Sequence, residues 1–366
     1  MRHLIAFLLL ILSIPSYAVP LEGLYSASTV VVDQSQPVRN AAMKEVLKTV
    51  VQKVSGRRQE LDNPSLQTVL SNVSSYVEQF QYKTLEEEEA SYRLTIRFQK
   101  AALDNVLQQF SVPIWGKNRP EILLWLAVDD GSGRRMLADE SMTKAVLAAA
   151  SDVGLAMTLP LLDLNDRRAL SAKDVWAGFS DQVLNASKRY SVKHIIYGRL
   201  RKVSANEWRL TAQLMNGRKR YSMLVQKGNM RHVLMALFSE TAESLADIYA
   251  PRGTVHQHQV KIHISEVSDL DKMVEVTDYL ASLDRVKAVA WKALQGTKLE
   301  LLLTISGEVT VLKEIISLNK ILLLTEPPLL YSEQVLQVGK DFTLKQSIEP
   351  IGLPSPKIDT LYYRAN

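Results

Sequence analysis

Four carboxylates and a short glycine loop are the residues of this sequence best suited to chemistry. Asp129-Asp130-Gly131-Ser132-Gly133 follows an almost wholly apolar run, Ile122 to Val128, and precedes a helical pattern. The end of a buried strand is where α/β sheets place ligands. Asp163 and Asp166 follow the next predicted strand. Neighbouring strands would bring Asp129, Asp130, Asp163 and Asp166 together, and a hard cation suits such a set. A metal-dependent hydrolase is the activity this arrangement would serve. The competing reading is ordinary loop and capping chemistry. The loop is not a phosphate cradle, because G-x-x-x-x-G-K-[ST] is absent and two aspartates repel phosphate. Gly-x-Ser-x-Gly is absent too, so Ser132 is no nucleophile elbow.

Two other groups stand out. His256, His258 and His263 are the one imidazole cluster. On a strand His256 and His258 share a face while His263 points the other way, which disfavours one metal held by all three. His194, at a strand start, is expected to be a packed histidine. The second group is basic: Arg199 and Arg201 with Lys202, and Arg218-Lys219-Arg220 beside a turn. Together they would form a basic strand edge facing anionic lipid or peptidoglycan. The competing reading is a solvated edge that blocks aggregation.

The elements that must hold these residues fall into three segments, with breaks at Pro113 to Pro120 and Pro251 to Gly253. Residues 21–112 read β-α-α-β-β-α. Ala42, Val46, Val50 and Val54 form a helical stripe between Pro37 and Gly56, and Tyr92, Leu94, Ile96 and Phe98 alternate as a strand. The Glu86 to Glu89 run belongs at a solvated hairpin tip. Residues 120–250 read as an α/β layer: strand, helix, short strand, a polar loop at Asp163 to Arg168, a helix over Asp174 to Tyr190, three strands and a closing helix. In the middle strand of the three, Trp208, Leu210, Ala212 and Leu214 oppose Arg209, Thr211 and Gln213. Residues 254–325 follow β-α-β-β-α-β, the ferredoxin-like order. Residues 326–366 carry five prolines and read as an extended tail, lying over the body or awaiting a partner. The fold class is therefore α+β or α/β, several small mixed domains with the last ferredoxin-like. The five tryptophans are expected in cores or between domains.

The compartment follows from the first eighteen residues. Arg2 and His3 precede an apolar run from Leu4 to Ile14, then Pro15 and the small-x-small site Ser16-Tyr17-Ala18. This predicts a secretory signal peptide over residues 1–18, cleaved after Ala18. The run is too short for a spanning helix, which needs about 20 apolar residues. The chain of 366 residues has no cysteine and a formal charge of +5. That excludes disulfides, thiol nucleophiles, zinc–cysteine sites and a lipidated N-terminal cysteine. A large cysteine-free exported chain fits a bacterial periplasm, where nucleic acid is not an expected partner.

One string in the second segment carries a resemblance. Leu159-Pro160-Leu161-Leu162-Asp163-Leu164-Asn165-Asp166, Asp174-Val175-Trp176, Ala186-Ser187-Lys188-Arg189-Tyr190 and Tyr197-Gly198-Arg199-Leu200, with Asp129-Asp130-Gly131, resemble the proteobacterial domain of unknown function 2066 (DUF2066). The resemblance implies a periplasmic protein of no assigned activity, with no catalytic residues to transfer. More loosely, the first segment resembles the N-terminal domain of the flagellar assembly protein T group. The second is similar to the N-terminal domain of the Tol β-propeller protein and to outer-membrane activators of penicillin-binding proteins. Those likenesses imply binding modules, although the activators' lipidation cysteine is missing here.

The sequence therefore predicts a non-enzymatic periplasmic interaction protein of the Gram-negative envelope, needing no cofactor, with envelope proteins as partners. Binding of anionic lipid or peptidoglycan is the second expectation.

Overall fold

The computed structural model describes residues 23–85, 91–217, 219–220, 224–253, 256–327 and 358–366. The predicted cleavage site at Ala18, the Glu86 to Glu89 run, Arg218, the Arg220 side chain and most of the proline-containing tail lie outside the described residues. The architecture is mixed α/β, with three sheets, and it divides into two compact units, residues 1–254 and 255–366. No helix among the described residues is long and apolar enough to cross a membrane.

The first unit opens with β1 (Ser26–Val31), α1 (Gln36–Ser55), α2 (Pro64–Leu70), β2 (Val77–Thr84), β3 (Tyr92–Phe98) and α3 (Lys100–Gln109). This is the β-α-α-β-β-α order expected. The strands form an antiparallel sheet, β1-β3-β2. Leu94, Ile96 and Phe98 of β3 pack on the Val46, Val50 and Val54 stripe of α1. Proline starts α1, where a missing N–H leaves nothing unbonded, and Gly56 ends it at φ +72°.

The unit continues with β4 (Glu121–Asp129), β5 (Arg134–Met136), α4 (Glu140–Asp152), β6 (Ala156–Thr158), α5 (Leu164–Ala169), α6 (Ala172–Ala177) and α7 (Ser180–Ser187). It closes with β7 (His194–Lys202), β8 (Trp208–Asn216), β9 (Lys219–Arg220), β10 (Leu224–Gly228) and α8 (Met230–Tyr249). The sheet runs β10-β8-β7-β4-β5, with β6 also on β4 and β9 also on β8. β4 and β7 are parallel, and β7, β8 and β10 form an antiparallel meander. The buried stripe of β8 faces the side packed by α8, while α6 packs over β4, β5 and β7. Two local expectations change. The predicted loop at Asp163 to Arg168 is largely helix, Leu164–Ala169, because the Asp163 side chain accepts the Asp166 N–H as its N-cap. The helix predicted over Asp174 to Tyr190 breaks at Gly178, whose φ of +81° ends α6.

Both predicted segments of residues 21–250 belong to this one unit, and their joint is a set of buried cations. The C-terminal ends of α1, α4 and α8 meet there, each with unpaired carbonyls and the negative end of its dipole. Arg119 donates to the carbonyls of Lys53 (2.6 Å), Trp115 (2.5 Å), Gly116 (3.0 Å) and Gly154 (3.0 Å). Arg57 donates to the Ala250 carbonyl (3.0 Å) and to Asp247 (2.7 Å). Lys53 donates to the Ser26 carbonyl at 3.0 Å, and burial lowers its ammonium pKa. Trp115 stacks on Tyr249, with ring centroids 6.2 Å apart and planes 3° off parallel. A Cβ on Gly56 would lie 2.7 Å from the Trp115 ring and 2.8 Å from Ala246, so this joint admits only glycine there.

The second unit has β11 (Gln257–Ser265), α9 (Leu270–Ala281), β12 (Val286–Gln295), β13 (Lys298–Ser306), α10 (Val309–Ile316), β14 (Leu322–Leu324) and β15 (Asp359–Ala365). The first six follow the predicted βαββαβ order. The sheet, however, runs β12-β13-β11-β15-β14. The tail expectation is thus corrected for residues 359–365. They form a strand inside the sheet, because Leu361, Tyr363 and Ala365 alternate as a buried face.

Candidate functional site

The four aspartates do not converge. β6 runs beside β4 only as far as Thr158, level with Leu123, six residues short of Asp129. Each pair has its own arginine. Arg135 grips Asp130 with two bonds, 2.8 and 2.6 Å, and holds that carboxyl well below its usual range. Arg189 grips Asp163 at 2.7 and 2.9 Å and likewise depresses it. Asp166 is 1% exposed and accepts from Arg189, the Tyr190 hydroxyl and the Leu162 N–H. Among the described residues Asp129 accepts only from the Gly131 N–H, at 3.1 Å. These are loop clips, and the string from Leu159 to Tyr190 is tied together by them.

The histidines are likewise dispersed. His256 precedes β11, His258 shares the face of Val260, Ile262 and Ile264, and His263 stacks on Tyr362 at 5.2 Å on the other face. Among the described residues no group of three or more His, Asp or Glu side chains is placed to hold a metal ion. His194 is fully buried. Its Nε2 lies 2.8 Å from the Tyr249 hydroxyl, and burial pushes its pKa down to about 4.

The basic residues give the most distinctive surface, in a different arrangement from the predicted edge. β7 is a central strand, so Arg199 and Arg201 lie on a sheet face. β9 pairs at the far end of β8, where Met215 faces Arg220 and Asn216 faces Lys219, whereas Arg201 faces Arg209. Six residues of strand, roughly 20 Å, separate the two basic groups. What joins Arg201 is a row across the sheet. Lys227 pairs with Arg209, Arg209 with Arg201, Arg201 with Asp129, and Asp129 with Arg134. All four cations are exposed, and Arg199 sits one step along the same face. Trp176 of α6 borders the row. Arg134 lies 4.5 Å from its ring, and Arg199 donates to its carbonyl at 3.1 Å. Lys227, Arg209 and Arg201 have no ion-pair partner among the described residues.

Like charges directly opposite on neighbouring strands are unfavourable. The sheet places Arg201 against Arg209 with Lys227 beside them, three cations in a row whose one carboxylate is Asp129, across from Arg201; local rules broken in this way are expected at functional sites. The polar alternation of β8 signals Arg209. Arg134 and Lys227 join it through strand register and Trp176 through the packing of α6, neither of which a local pattern carries.

Comparison with known proteins adds little chemistry. A family model described as a domain of unknown function (DUF8605) matches residues 18–116. This overturns the DUF2066 resemblance: the match is to a different family, and it falls on the first segment, not on the Leu159 to Leu200 string. No curated protein matches the chain. Among solved structures, the LpoB C-terminal domain from Salmonella enterica is similar over 35% of this chain and 93% of its own, at 14% identity and a TM-score of 0.24.

Proposed function

We propose that the protein is an exported, non-catalytic interaction module that holds an acidic polypeptide segment on the cationic row of its larger sheet. The row Lys227, Arg209, Arg201, Asp129, Arg134 carries the reading. Five strands span about 19 Å, the length of roughly six extended residues. Arginines dominate, and their forked donors match carboxylates. Two features favour a polypeptide over a membrane or a uniform polyanion. The helix layer of α6 stands beside the row, so a flat bilayer meets the helix before the arginines. Asp129 repels a uniform polyanion but accepts an N–H from a peptide. Export rests on the leader-like residues Arg2 to Ala18, and non-catalysis is supported by the arginine clips on Asp130 and Asp163.

The test is fluorescence anisotropy with a labelled hexaglutamate peptide, against polyphosphate and phosphatidylglycerol vesicles. The peptide is expected to bind, to weaken with salt, and to lose at least tenfold in affinity in Arg201→Glu/Arg209→Glu with the fold intact by circular dichroism. Equal binding by that variant, or binding of vesicles alone, overturns the proposal.

A further inference from the structure

β15 sits where the rest of its sheet does not need it. In the order β11-α9-β12-β13-α10-β14, the last strand belongs antiparallel beside the first. Here β14 is one place further out, and β15 lies between them. It runs parallel to β11 from Val260↔Asp359 to Ser265↔Arg364, and antiparallel to β14 from Leu322↔Ala365 to Leu324↔Tyr363. β14 thus already points in the direction that direct pairing with β11 requires. The open edge of β11 has two compatible neighbours, β15 and β14.

Two further observations bear on how tightly β15 is held. Leu324 pairs with Tyr363, yet residues 325–362 separate the two in the chain, far more than the two to five of a short hairpin. Pairing strands so far apart in the chain costs more chain entropy than pairing across a short turn. The fit is also imperfect. Tyr363 is 3% exposed, and its buried hydroxyl has no hydrogen-bond partner among the described residues. Leaving such a group unsatisfied is unfavourable, and phenylalanine would fill the same space without it.

We infer that the slot between β11 and β14 is a strand-acceptor site, and that β15 is an occupant which a partner's extended segment displaces. The segment that fits runs parallel to β11 and presents an aliphatic, an aromatic and a small side chain at alternate positions, as Leu361, Tyr363 and Ala365 do. Phenylalanine is preferred at the middle position. This site is independent of the cationic row.

The probes are a labelled peptide of residues 357–366 and the same peptide with Tyr363→Phe, each added to the full chain and followed by anisotropy. Hydrogen exchange of the full chain is measured in parallel. Both peptides are expected to incorporate, the phenylalanine form about fivefold more tightly. Incorporation should reach a rate that no longer rises with peptide concentration, because β15 must leave first. β15 amides should exchange faster than those of β13. The in-chain Tyr363→Phe variant should take up less peptide, while a scrambled peptide should not enter. Absence of incorporation, with β15 exchanging only as slowly as β13, overturns the inference.

Discussion

Arg119 and Arg201 belong to the same compact unit and meet opposite fates. Arg119 lies in the joint, 6% exposed, and its guanidinium is consumed by the carbonyls of Lys53, Trp115, Gly116 and Gly154. Arg201 stands exposed on a sheet face, with Arg209 across from it on one side and Asp129 on the other. Both are cations near strand or helix ends, and nothing in composition separates them. The difference lies in what surrounds each charge. A buried cation supplied with acceptors fixes structure. An exposed cation set against its like leaves its attraction for something outside the chain.

The sharpest way to break this contrast is Arg119→Ala. It leaves buried carbonyls at two helix ends without a donor, and an expected loss of roughly 3–5 kcal/mol follows. Denaturant unfolding measures it, and a loss below about 1 kcal/mol would mean that water takes over the capping.

The next test concerns His194 in the same interior. Its pKa is pushed down to about 4 from an ordinary 6.5. The unfolded chain therefore binds a proton that the folded chain refuses. Stability is expected to fall as pH drops from 6.5 towards 4, by up to roughly 3 kcal/mol. His194→Gln should remove that part of the slope, as seen in unfolding midpoints recorded from pH 7 to 4. An unchanged slope would assign it to other groups.

The smallest effect is expected on the open face. Arg209→Thr removes a like-charge pair and should raise stability by a few tenths of a kcal/mol. It should also flatten the dependence of Tm on salt, because screening has less repulsion to relieve. A clear loss of stability would place Arg209 with Arg119, as a structural cation.

Much of the fold was legible where the period of side chains is local. Trp208 to Leu214 against Arg209 to Gln213 defines β8, and Pro37 and Gly56 bound α1. Local pattern misleads where one residue overrides it. Phe179 completes the apparent stripe Val175, Phe179, Val183, Ala186, yet it is half-exposed at the start of α7, because Gly178 has already ended α6. The site was legible only in fragments. Arg199 and Arg201 stand out in the sequence, but their neighbours Arg134 and Lys227 arrive through pairing of distant strands. The predicted aspartate set failed for the same reason, since β6 pairs with β4 too early to bring Asp163 towards Asp129. β15 was hidden most deeply, because the strand beside it, β11, precedes it by almost a hundred residues.

That separation in the chain also sets a clock. β11 is complete at Ser265, and its neighbour begins at Asp359. At ordinary synthesis rates the interval is roughly 5–20 s. Throughout it, the Val260 to Ile264 edge must stay open or borrow β14, so the order in which residues are made decides which pairing this sheet samples first.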